Sequence, residues 1–116
     1  MNSKKIVALI PARGGSKGVK FKNIYSLGGM PLLLWSINSA KKENIFDRIY
    51  VSSENENILR IAKRNKVDVH KRPKKYAGDN TKIFETIKNF YQYQKSMGYL
   101  IDIIVLLEPT SPFRKS

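Results

Sequence analysis

Apolar and polar positions along the chain switch repeatedly between a strand-like and a helix-like pattern, and that alternation predicts a parallel α/β sheet. Ile6 to Ile10 is a continuous apolar run, suited to a strand buried on both faces. Pro31 sits where a helix can begin, and Leu32, Leu33, Trp35, Ile37 and Ala40 cover one broad face before Lys41 and Lys42 favour its C-terminal end. A short strand is expected over Arg48 to Ser52. Ser53 followed by Glu56 has the form of a capping box, opening a helix whose buried stripe is Ile58, Leu59, Ile61 and Ala62. Val67 to His70 reads as a weaker third strand, ended by Lys71-Arg72-Pro73. After a polar loop, Lys74 to Asn80, the spacing of Ile83, Ile87, Phe90 or Tyr91 and Gln94 predicts a helix from Thr81 to Lys95, closed by Met97-Gly98. Ile101 to Leu107 is a fourth strand, and Glu108 to Arg114 form a loop.

Topology turns these elements into a site. Right-handed crossovers favour laying strands two and three on one side of strand one, and a doubly wound sheet places strand four on its other side. The expected order is 3-2-1-4, a Rossmann-like, three-layer parallel sheet ending after its fourth strand. Strand order then reverses between strands one and four, and ligands of such folds bind in the crevice beyond their C-terminal ends. Two loops enter that crevice, Pro11 to Gly18 and Glu108 to Arg114.

The first of these, Pro-Ala-Arg-Gly-Gly-Ser-Lys-Gly, has the composition of a phosphate cradle. Glycines let backbone N–H groups approach an anion, Arg13 and Lys17 supply charge, and Ser16 adds a donor. The spacing of Gly14, Gly15 and Gly18 matches neither a P-loop nor a dinucleotide-binding fingerprint. A flexible turn carrying solvated charges is the plain alternative.

Composition narrows the class further. At 116 residues, 41% of them hydrophobic, the chain suits one packed domain. Cysteine is absent, which excludes a disulfide framework and a thiolate metal site. No segment has the length of a membrane span or the form of a signal peptide, so a cytoplasmic protein without a membrane partner is the expectation. Twenty-two Lys and Arg against nine Asp and Glu give a net charge of +13, which raises the question of nucleic acid. The cations are scattered along helices and loops, and aromatics fall on core faces instead of alternating with arginines. A dedicated nucleic-acid module is therefore disfavoured.

Taken together, Ile10 to Gly18, Lys22-Asn23-Ile24, Gly28-Gly29-Met30-Pro31-Leu32, Phe46-Asp47-Arg48, Val51-Ser52-Ser53, Arg72-Pro73 and Pro109-Thr110-Ser111-Pro112 resemble the acylneuraminate cytidylyltransferases, over essentially the whole chain. The resemblance implies a nucleotide-diphospho-sugar transferase fold. It also implies transfer of CMP from CTP to an acidic nine-carbon 2-keto sugar, with magnesium and release of pyrophosphate. Residues 1–116 would form the N-terminal, nucleotide-binding part of a single domain. Family members are about twice as long, so the magnesium-binding acids, the rest of the sugar pocket and much of the homodimer contact are expected outside this stretch. No Asp-x-Asp pair occurs in it. Gly18 and the Gly-Gly-Met-Pro segment lean towards sialic-like substrates, with sialic, legionaminic and pseudaminic acids all left open.

Residue by residue, the resemblance implies that Arg13, Lys17 and Lys22 act on the phosphates in catalysis. Ala12, Arg13, Gly14, Gly15, Ser16, Lys17, Asn23, Arg72 and Asp79 would bind nucleotide, and Glu108, Thr110 and Ser111 the sugar. Plain alternatives stand beside these roles: Lys22 as a solvated cation, Asn23 as a turn residue, Arg72 as a surface cation before proline. Asp79 and Glu108 are the acids expected near the crevice. Glu108 replaces the family's usual glutamine, and a carboxylate there accepts hydrogen bonds, cannot donate and repels an acidic sugar. Lys82 and Ile83 stand where the family is rich in hydroxyls. Two readings of other classes remain, a non-catalytic nucleotide-binding or interaction module and a basic nucleic-acid-binding domain.

Overall fold

The computed structural model describes residues 4–12, 26–27, 30–73 and 83–108. Its elements are β1 (Ile6–Pro11), β2 (Ser26–Leu27), β3 (Met30–Pro31), α1 (Leu32–Glu43), β4 (Arg48–Ser53), α2 (Glu56–Arg64), β5 (Asp68–Lys71), α3 (Ile83–Ser96) and β6 (Ile103–Leu106). The main sheet is parallel with order β5-β4-β1-β6, the expected 3-2-1-4. The small antiparallel pair β2-β3 was not legible as strands, because two residues carry no periodicity.

Strand β1 is central because nothing along it needs water. Val7, Ala8, Leu9 and Ile10 have no exposed surface, and period two sends them to opposite faces. On one face Ile10 and Ala12 pack with Leu33 and Ile37 of α1, Val51 of β4, and Ile58 and Ala62 of α2. On the other, Val7 and Leu9 pack with Tyr50, Phe90 of α3 and Ile101. Two carboxylates hold the entry to β1. Asp47 accepts the Ile6 N–H and Asp102 the Lys5 N–H, each at 2.7 Å, so both neighbouring strands clamp its first residues.

Two details differ from expectation. Trp35 is 38% exposed, since Leu33, Ile37 and Ala40 at helical spacing already make the buried stripe of α1 and position 35 lies far round from it. The α2 N-cap is Asn55 and not Ser53: Asn55 Oδ1 accepts the Ile58 N–H at 3.0 Å, while Ser53 stays in β4 and its Oγ accepts the Asn55 N–H. The cap thus falls two residues after Ser53, which ends the strand. Ile103, at 41% exposure, leaves apolar surface on β6 open.

Both α2 and α3 end in the same hydrogen-bond pattern with different residues. In α3 the N–H groups of Gly98 and Tyr99 bond to the carbonyls of Lys95 and Gln94, with Gly98 at φ +89°. In α2 the N–H groups of Lys66 and Val67 bond to Lys63 and Ala62, with Lys66 at φ +61°. A lysine there meets the Cβ clash that glycine avoids. Lys66→Gly is therefore expected to stabilise the fold by about 0.5–1 kcal/mol. Gly98→Ala is expected to destabilise it by about 1 kcal/mol, although an added Cβ meets nothing within 4 Å, because the cost is conformational. Thermal unfolding followed by circular dichroism should show the two melting temperatures moving in opposite directions.

Candidate functional site

The C-terminal edge of the sheet carries a row of bonds that continues past the strands. Ala12 N–H donates to the Ser52 carbonyl, Arg72 N–H to the Ser53 carbonyl, and Leu107 N–H to the Leu9 carbonyl, each at 2.9 Å. These bonds fix where the chain leaves β1, β5 and β6. The Arg72 side chain folds back across β4, its Nη2 donating to the Ser52 carbonyl at 3.2 Å. One carbonyl thus receives both the end of β1 and the guanidinium. Arg72 is 3% exposed, which overturns its reading as a surface cation before proline.

Beneath the guanidinium lies a buried polar network. Ser52 and His70 face each other in register on β4 and β5, with Ser52 Oγ 2.8 Å from His70 Nδ1. His70 Nε2 is 2.9 Å from Asn89 Oδ1 on α3. Because Oδ1 only accepts, Nε2 carries the proton and Nδ1 is free to accept the Ser52 hydroxyl proton. Arg72 Nε in turn approaches Ser52 Oγ at 3.4 Å. Burial lowers the His70 pKa, with the nearby Arg72 charge acting in the same direction and the Asn89 bond opposing. His70 also meets the Phe90 ring edge-on, with centroids 5.3 Å apart. A serine beside a histidine invites comparison with an activated nucleophile. Ser52, however, has no exposed surface and its oxygen faces Arg72, so no substrate carbonyl or phosphorus can reach it.

A cleft of about 610 Å³ opens beside the network, with Glu54, His70, Arg72, Pro73, Asn89 and Tyr93 in its lining. Glu54 was not singled out from the sequence; it lines this cleft, which lies by β5 and α3 and not at the exit of β1 and β6. Glu54 follows β4 directly, and only the end of the strand at Ser53 places it there. Ser52, His70 and Asn89 were also missed as members of the site; alternation of Tyr50 with Ser52 opposite Asp68 and His70 was the available signal.

Of the sequence-derived site residues, Ala12 and Arg72 are brought together through Ser52, and Glu108 lies exposed just past β6. Arg13, Gly14, Gly15, Ser16, Lys17, Lys22, Asn23, Asp79, Thr110 and Ser111 lie outside the described residues. Among the described residues no group of three His, Cys, Asp or Glu side chains could hold a metal. Nor is any described helix long and apolar enough to cross a membrane.

A parallel sheet in the order β5-β4-β1-β6, with polar side chains gathered at its C-terminal edge, defines a doubly wound, Rossmann-like α/β class. The sequence model of the cytidylyltransferase family matches residues 7–116, and the chain belongs to that family. It is 38% identical over 110 residues to N-acylneuraminate cytidylyltransferase A of Danio rerio, covering 95% of this chain and 25% of the relative. It is 38% identical over 112 residues to the N-acylneuraminate cytidylyltransferase of Escherichia coli O18:K1:H7, covering 97% and 26%. Similarity to the CMP-N,N'-diacetyllegionaminic acid synthase of Legionella pneumophila is 34% over 112 residues, covering 96% and 48%. The chain thus spans between a quarter and a half of the length of these curated relatives. Among solved structures, CMP:2-keto-3-deoxy-manno-octonic acid synthetase complexed with CTP superposes with a TM-score of 0.75 at 16% identity, covering 97% of this chain and 43% of that one. A second, 4-diphosphocytidyl-2C-methyl-D-erythritol synthase, gives 0.66 at 18% identity, covering 94% and 48%. At such identities the two structures establish the shared fold.

Burial of neutral His70 makes stability depend on pH. Its folded pKa lies below its unfolded value, so between the two the unfolded chain binds more protons and stability rises with pH. The contribution is complete above the unfolded value of about 6.5 and is lost as pH falls towards the folded pKa. Urea titrations of wild type and His70→Asn from pH 7.5 to pH 5 are expected to show the wild type losing more stability on acidification than the variant.

Proposed function

We propose that this chain forms the nucleotide-binding part of an enzyme that transfers CMP from CTP to a sialic-acid-like nine-carbon 2-keto sugar acid. The reading is supported by one observation: the Ser52 carbonyl ties a buried guanidinium, that of Arg72, to Ala12 at the end of β1, the residue that precedes Arg13 in sequence. The names of the relatives support the choice of nucleotide and of acceptor. In the reaction, the anomeric hydroxyl oxygen bonds to the α-phosphorus and the bond to the bridging oxygen of pyrophosphate breaks. Pyrophosphate departs, and the hydroxyl proton is released. Negative charge grows on the phosphate oxygens, which is what Arg13, Lys17 and Lys22 are suited to offset. Ser16 and the loop amides would hold the triphosphate, and Asn23 the ribose. Glu108, Thr110 and Ser111 would face the acceptor, and Asp79 the nucleotide side. Magnesium belongs to this reading through the phosphates, with most of its protein ligands outside these 116 residues.

Isothermal titration of the chain with CTP, ATP and GTP in magnesium tests the assignment. CTP is expected to bind in preference to the purine nucleotides, and Arg13→Ala to weaken it by about tenfold or more, the order of a lost charge-assisted hydrogen bond. Equal affinity for all three nucleotides would argue for a module without cytidylyl specificity. Tight RNA binding that weakens steeply with salt would favour a nucleic-acid role instead.

A further inference from the structure

We propose that Ser52 and His70 are positioning residues that hold the Arg72 guanidinium in the one orientation from which it meets the nucleotide. The inference rests on the nucleotide role of Arg72 just given. An arginine side chain has many rotamers, and a buried one keeps a single orientation only where acceptors are aimed at its N–H groups. Ser52 supplies two, its carbonyl to Nη2 and its hydroxyl oxygen to Nε. The hydroxyl can serve Nε only when its own proton points elsewhere, and His70 Nδ1, 2.8 Å away, takes that proton. Nδ1 has a lone pair to offer because Asn89 Oδ1 holds the ring proton on Nε2. Direction therefore passes from α3 through β5 and β4 to the guanidinium, by a chain of groups that are each buried or half-buried. Phe90, packed edge-on against the ring, limits its rotation. None of Ser52, His70 or Asn89 acts on the nucleotide directly in this arrangement.

The Arg72 Nε–H resonance of the ¹⁵N-labelled 116-residue chain, assigned by its disappearance in Arg72→Ala, reports the orientation without any ligand. In wild type it is expected to be shifted from the other arginines and slow to exchange with water. His70→Asn, which returns an acceptor near the position of Nδ1, should preserve it. Ser52→Ala, a small change that leaves the backbone carbonyl in place, and His70→Phe should bring it towards the exposed arginines with faster exchange. Titration with CTP then supplies the functional half. Ser52→Ala and His70→Phe are expected to weaken CTP by about fivefold to tenfold in the wild-type background and to have no further effect in Arg72→Ala, the non-additivity of residues acting through one another. An unchanged Nε–H signal in both Ser52→Ala and His70→Phe, or additive losses of affinity with Arg72→Ala, would overturn the positioning role. If the signal responds as expected while Arg72→Ala leaves CTP affinity intact, the nucleotide role of Arg72 is what fails.

Discussion

Strand β1 is hydrogen-bonded to β4 on one side and β6 on the other, and its four central residues, Val7 to Ile10, have no contact with water. A slip of one residue would exchange the side chains packed against α1 and α2 for those packed against α3, so its register is set by two cores at once. Asp47 and Asp102 clamp its entry, and the Ser52 carbonyl receives its exit at Ala12. The chain therefore leaves β1 at Ala12 from a point fixed by a hydrogen bond. That is the property a phosphate-holding loop needs, since its amides must meet an anion at a defined distance.

The face of the sheet under α3 is less uniformly apolar than the other. Arg48, Tyr50 and Ser52 follow one another at period two on β4, with His70 beside Ser52. Each finds a partner: Arg48 lies 3.8 Å from the centre of the Tyr99 ring and donates to the Tyr50 hydroxyl, which donates to Gln94 Oε1. Burial raises the Tyr50 pKa, and Arg48 works against that shift. Among the described residues no buried side-chain polar atom lacks a partner. A made hydrogen bond contributes only about 1 kcal/mol, whereas an orphaned buried group costs about 1–3 kcal/mol. The polar ladder thus acts mainly as a registry device, because α3 packed one turn out of place would strand Gln94 and Asn89 together.

Periodicity made the four strands of the main sheet and the three helices legible, since each depends on residues near one another in sequence, and the handedness of crossovers then supplied the strand order. Gly98 was legible as a helix terminator for the same reason. Reading failed where a partner lay far along the chain or where two local signals competed. Ser53 looked like an N-cap, but continued pairing of β4 with β5 kept it in the strand and left the cap to Asn55. Arg72 reads as a nucleotide-binding residue with a surface cation as the plain alternative, and its burial was not legible because its acceptor lies 20 residues away. His70 carried no motif of its own: its partners stand 18 residues before it and 19 after it, and only the register of β4 with β5 brings Ser52 opposite.

Fold and sequence constrain the two halves of the proposed reaction unequally. The structural neighbours, at 16% and 18% identity, share the sheet and bear names that specify different products, so the sheet by itself does not choose an acceptor. Under the proposed function the nucleotide side has a buried arginine tied to the end of β1, an arrangement that does not depend on which acceptor is used. Glu108 lies exposed at the exit of β6, next to β1. Under the proposed function an acidic sugar approaching that exit meets a like charge. Attraction must then come from cations of the neighbouring loops, and a net charge of +13 supplies them in excess. Specificity for the acceptor would accordingly rest on where individual donors stand, because the overall field favours any anion equally.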